Sequence, residues 1–96
     1  MLRASATATT PRADRYLQQL CKHFAHKIPA KAENGQGHIE FPMGVADLEA
    51  TEDSLNLSVG ASNPEDLKRL QTVVEDHLRR FAFREEMPGL EWSPRQ

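Results

Sequence analysis

Residues 38–61 read His38-Ile39-Glu40-Phe41-Pro42-Met43-Gly44-Val45-Ala46-Asp47-Leu48-Glu49-Ala50-Thr51-Glu52-Asp53-Ser54-Leu55-Asn56-Leu57-Ser58-Val59-Gly60-Ala61. Apolar and polar side chains alternate along them with the period of two that a strand imposes. Over 38–41, Ile39 and Phe41 fall on one side, His38 and Glu40 on the other. After Pro42-Met43-Gly44, residues 45–50 place Ala46, Leu48 and Ala50 inward and Val45, Asp47 and Glu49 outward. After Thr51-Glu52-Asp53, Leu55, Leu57, Val59 and Ala61 share the inner side. Loops this short join antiparallel neighbours, so the stretch predicts a three-stranded meander with one apolar face.

That face needs a cover, and the flanking sequence supplies two amphipathic helices. Thr10-Pro11 offers an N-cap and a first helical residue. Ala13, Tyr16, Leu17, Leu20 and Phe24 follow at helical spacing, up to the stop before Pro29. Asn63-Pro64-Glu65-Asp66 starts the second helix, with Leu67, Leu70, Val74, Leu78 and Phe81 as its buried stripe. Arg79, Arg80 and Arg84 suit the negative end of its dipole. Residues 5–10 and Leu90-Glu91-Trp92 are further strand candidates, while Asn34-Gly35-Gln36-Gly37 and Pro88-Gly89 break the chain. Trp92, Phe83 and Met87 are expected to close the open end of the core. The expected fold is α+β: a two-layer sandwich, an antiparallel sheet of three to five strands with two helices on one face, ordered β-α-β-β-β-α-β. The first and last strands are the optional ones. A single domain is expected over 5–93, with 1–4 and 94–96 as flexible tails.

Composition agrees with one small domain. Only 20 of the 96 residues are Leu, Ile, Val or Phe, so the core is thin, and modest stability or dimerisation is expected. No apolar run approaches the ~20 residues of a membrane span, and the first eight residues lack the apolar stretch of a signal peptide. With one cysteine and no export signal, the cytoplasm is the expected location. A pI near 6.1 argues against a nucleic-acid partner. Charge is uneven: 11–31 carry five bases against Asp14, whereas 40–53 carry five acids and no base. These are two solvated faces or complementary patches for self-association.

Chemistry concentrates at Cys21-Lys22-His23-Phe24-Ala25-His26-Lys27, a Cys-x-His-x-x-His string. At ~100° per residue, Cys21 and His23 leave a helix about 160° apart and cannot share an ion. His23 and His26 do share a side, yet two ligands are too few for a tight zinc site, and a third would come from His77, His38 or a carboxylate. Three roles stay open for the pair: surface histidines near a helix end, metal or haem ligands, or acid–base groups. Cys21 reads as a buried, inert thiol. His77 lies about 50° from the centre of its helix's apolar stripe, where a histidine is either tethered by a hydrogen bond or lines a pocket. Nucleophile elbow, phosphate loop, dinucleotide fingerprint and zincin motif are all missing.

The stretch Leu20-Cys21-Lys22-His23-Phe24-Ala25-His26-Lys27 resembles a bacterial family, domain of unknown function 2218. The resemblance continues at Gly37-His38-Ile39-Glu40-Phe41-Pro42-x-Gly44 and at His77-Leu78-Arg79-Arg80-Phe81-Ala82-Phe83-Arg84-Glu85-Glu86, and ends near Glu91-Trp92. Family members often carry Trp-Ser where this chain has Phe24-Ala25, which removes an indole and a hydroxyl. The resemblance implies a short bacterial protein associated with iron and siderophore utilisation. By it, Cys21, His23, His26, Lys27, His77, Arg80 and Phe81 are the motif positions to test.

The expectation is therefore a non-enzymatic binding or accessory domain, with His23, His26 and His77 as metal ligands and a metal ion as cofactor. Its partner would be a second copy or a siderophore or iron-utilisation protein, not nucleic acid or a membrane. The alternative is an interaction or dimerisation module whose histidines are structural. A small hydrolase using His77 or Cys21 lacks a nucleophile–base–orienter set.

Overall fold

The computed structural model describes residues 1–85 and 90–95. The chain runs β1 (Leu2–Thr9), α1 (Ala13–Ala25), β2 (Ala30–Glu33), β3 (Gln36–Phe41), β4 (Gly44–Ala50), β5 (Ser54–Ala61), α2 (Pro64–Phe81), a short 3-10 turn (Phe83–Glu85) and β6 (Ser93–Arg95). One sheet holds all six strands in the order β2-β3-β4-β5-β1-β6, every neighbouring pair antiparallel. The fold class is α+β as expected, with the sheet one strand larger.

The meander matches its alternation. Ile39, Ala46, Leu48, Leu55, Leu57, Val59 and Ala61 are buried, and Leu17 and Leu20 of α1 with Leu70, Val74 and Leu78 of α2 cover them. The large side chains in a core this small are few in number, so truncating one leucine to alanine costs about 2–5 kcal/mol of a small total. The outer face of the sheet keeps its polar residues, among them His38, Asp47, Asn56 and Ser58. Among the described residues no helix is long and apolar enough to cross a membrane.

Three expectations about the chain's course need correction. The extra strand is β2: Asn34 and Gly35, both at positive φ (51° and 75°), form a two-residue hairpin turn whose first arm is Ala30–Glu33. The tail expected over 1–4 is mostly strand, since Leu2, Arg3 and Ala4 pair with Ala61, Gly60 and Val59, and Ala4 is buried. At the other end the last strand lies at Ser93–Arg95, not 90–92, against Arg3–Ser5. Trp92 instead donates its indole N–H to Glu75 at 2.9 Å and packs beside the core. Phe83 does not close the core; its residue is 70% exposed. Met87 and the expected break at Pro88-Gly89 lie outside the described residues.

The helix starts differ in kind. Asn63 caps α2 as expected, its side chain accepting from the Asp66 N–H at 2.9 Å. Thr10 sits two residues too early to cap α1: its Oγ1 accepts from the Arg12 N–H at 3.1 Å, and the helix begins at Ala13. Thr10 is held back because its hydroxyl donates to the Glu85 carboxylate, 75 residues on.

Candidate functional site

Three elements meet over one end of the sheet. The last turns of α1 bring His23 and Phe24, the apolar side of α2 brings His77, and the end of β3 brings Phe41. Their rings form one aromatic cluster. His23 stands 4.9 Å from His77, Phe24 stands 4.8 Å from His77 and 5.0 Å from Phe41, and Phe81 lies 5.8 Å from His23. Beside the cluster opens a pocket of about 380 Å³, walled mostly by apolar groups, with His26 and Lys27 also among its lining.

The imidazoles here are electrically constrained. His77 Nδ1 lies 2.7 Å from the Val73 carbonyl oxygen. A carbonyl only accepts, so Nδ1 carries a proton, and in the neutral ring Nε2 is the acceptor. His23 has its pKa pushed below the ordinary histidine value, first by loss of water around the ring, then by the positive potential of His77, His26, Lys27 and Arg80. His23 is thus held toward the neutral form, in which an imidazole offers one lone pair.

The other candidate residues are placed as follows. His26 is exposed at the C-cap of α1 and lines the pocket. Arg80 is exposed on α2, and Phe81 is half-buried. Cys21 is buried in the core, where a Cβ on Gly37 would come within 2.7 Å of its sulfur. Burial raises its thiol pKa, against the opposing pull of the His38 backbone N–H. His38 lies on the outer face of the sheet, its Nδ1 2.6 Å from Asp47, and does not line the pocket. Among the described residues no three His, Cys, Asp or Glu side chains are grouped to hold one metal ion. His23 and His77 come together; His26 does not complete a ligand set with them.

Two features had no sequence signal. Phe41, expected as ordinary core, is a wall of the pocket. Further along the helices, the Glu85 carboxylate accepts the Thr10 hydroxyl at 2.8 Å and the Tyr16 hydroxyl, with the Arg12 guanidinium 3.6 Å away. The hydrogen bond from Tyr16 is the main reason that Glu85 titrates below the usual carboxylate range, burial opposing it. Tyr16 is pushed up, chiefly by burial and then by Glu85.

A family model described as an uncharacterised protein conserved in bacteria, DUF2218, matches residues 5–93. The NMR structure of PA4090 from Pseudomonas aeruginosa is similar at a TM-score of 0.80 and 30% identity, over 99% of this chain and 96% of that one. No curated protein matches. Three separate stretches of the chain thus converge on one pocket, and the chain belongs to the bacterial family DUF2218.

Proposed function

We propose that this chain is a small-molecule binding domain and that its ligand site is the His23–His77 pocket. The ligand class is a flat aromatic ring bearing adjacent hydroxyls and an acidic group. One observation carries this reading: two imidazoles stand 4.9 Å apart against Phe24 and Phe41, with the His77 Nδ1–H taken up by the Val73 carbonyl. Aromatic walls favour a planar ring. Two nitrogen lone pairs accept from two hydroxyls, and Lys27 at the lining offers a cation for a carboxylate. The association with iron and siderophore utilisation that the resemblance implies is compatible with such a ligand, since catecholates are flat aromatic diols. A bound metal at His23, His26 and His77 has no support from the donor set.

Calorimetric titration with dihydroxybenzoate tests the reading. The expected result is one saturable site, weakened about tenfold or more in His77→Ala, where a hydrogen-bond acceptor and a ring face are lost together. Benzoate, which lacks both hydroxyls, is expected to bind more weakly by a similar factor. Absence of saturable binding, or equal affinity for the two ligands, would overturn the assignment.

The dimerisation reading has one observation in its favour, the exposed Phe83 ring. A mass that stays monomeric at high concentration in sedimentation would remove it.

A further inference from the structure

A second cleft, of about 440 Å³, lies along the same pair of helices and shares the Phe81 side chain with the surroundings of the histidine pocket. Its lining carries three guanidinium groups, Arg12, Arg15 and Arg84, against one described carboxylate, Glu85. That carboxylate is already occupied: it takes the Thr10 and Tyr16 hydroxyls and lies beside Arg12. Among the described residues no acid lies within ion-pair distance of Arg15 or Arg84. Among the described residues, Arg15 and Arg84 therefore stand in the cleft without a counter-charge.

Its rim has a second feature. The Arg84 guanidinium carbon stands 5.5 Å over the centre of the Phe83 ring, and Phe83 is 70% exposed. A guanidinium stacked by its face keeps its in-plane N–H donors for an anion. At 70% exposure Phe83 has aromatic surface available to a planar ring. Leaving a large aromatic side chain in water serves no core, since Phe83 is not part of the buried cluster.

We infer that this cleft binds a phosphate monoester whose molecule also bears a planar aromatic ring, as a nucleoside monophosphate does, with Arg15 and Arg84 clasping the dianion and Phe83 stacking on the ring. Guanidinium forks match phosphate oxygens two at a time. Gln19, also in the lining, supplies a neutral hydrogen-bonding group, and Glu85 keeps Arg12 in place without competing for the ligand. The site is independent of the histidine pocket and stands if that reading falls.

The test uses the arginine Nε–H and histidine ring signals of the nitrogen-15-labelled protein, titrated with adenosine monophosphate, inorganic phosphate and adenosine. The expected result is saturable shifts of Arg15 and Arg84 with adenosine monophosphate, weaker ones with inorganic phosphate and none with adenosine. Arg15→Ala and Arg84→Ala change exposed residues, leave the rest of the spectrum in place, and are each expected to weaken binding about tenfold, the loss of one charged hydrogen-bond partner. Phe83→Ala is expected to erase the preference for adenosine monophosphate over inorganic phosphate. Binding that survives both arginine variants, or shifts confined to His23 and His77, would overturn the inference. Equal affinity for the two phosphates in the unaltered protein would overturn its planar-ring half.

Discussion

Removing the Glu85 carboxylate is expected to loosen the end of the molecule where α1 begins. In Glu85→Ala the Thr10 and Tyr16 hydroxyls, both on buried residues, lose their common acceptor. A buried hydroxyl left without a partner costs about 1–3 kcal/mol. Arg12, whose side chain is half exposed, adds little. The sum is about 2–6 kcal/mol, and at about 4–8 °C per kcal/mol for a domain of this size even the low end lowers Tm by about 8–16 °C. Tyr16→Phe removes the donor and leaves no orphan, so it is expected to cost only about 1–2 kcal/mol. The double variant should therefore cost less than the sum of the two, because both remove one hydrogen bond. Urea unfolding of the four proteins measures this. A Glu85→Ala cost below about 0.5 kcal/mol, or strict additivity with Tyr16→Phe, would refute the claim that this carboxylate ties the 3-10 turn to α1.

The same contact sets a pH dependence. Glu85 titrates lower in the folded chain than in the unfolded one, so between the two values the unfolded state binds more protons. Its contribution is present above the unfolded pKa of about 4.3 and is lost as pH falls through the folded value. Tyr16 works at the other extreme: its folded pKa is raised, so its contribution is lost as pH climbs above the ordinary tyrosine value. Glu85→Gln should flatten the acid limb of a stability–pH curve and leave that of its other carboxylates.

Further outcomes follow from the packing. Asn63→Ala removes the cap of α2 and is expected to lower stability by about 1 kcal/mol, read by urea unfolding, whereas Asn63→Asp should be near neutral. Cys21 should resist alkylation at neutral pH in the native protein and react on unfolding, because burial raises its pKa; rapid native labelling, followed by mass spectrometry, would contradict its place in the core. Gly37→Ala forces a methyl group against the Cys21 sulfur and should destabilise, with partial rescue by Cys21→Ala in the double variant.

The strands of the meander were legible because their alternation is clean and their inner residues are large enough to anchor a face. Where inner residues are small, the signal failed. In β1 the buried side chains are Ala4, Ala6 and Ala8, so the strand's true start at Leu2 was invisible. In β2 the sequence Ala30-Lys31-Ala32-Glu33 has neither branched nor aromatic residues. Its existence was nonetheless implied by Asn34-Gly35, since a turn of that type needs an arm on each side. The two helix starts divide along the same line. Asn63 acts within one turn of its own chain and was readable. Thr10 answers to Glu85, a partner that only the tertiary fold supplies.

The candidate pocket was legible in part. Helical spacing put His23 apart from Cys21, and the apolar stripe of α2 marked His77 as unusual. The approach of His23 to His77, and the walls from Phe24 and Phe41, depend on how the two helices lie on the sheet, which periodicity does not encode. The three-histidine metal set joined the helical spacing of His23 and His26 to a ligand from the other helix, His77; all three line the pocket, and among the described residues no three such side chains are grouped to hold one ion.

The pocket reading is tested most directly by the tautomers of its two imidazoles, observed by long-range proton–nitrogen NMR before and after dihydroxybenzoate is added. In its neutral form His77 is expected to carry its proton on Nδ1, with Nε2 bare, and the Nε2 signals of His23 and His77 are expected to move together as the ligand saturates. A proton on Nε2 of His77, or an Nε2 signal that stays still throughout the titration, would contradict it.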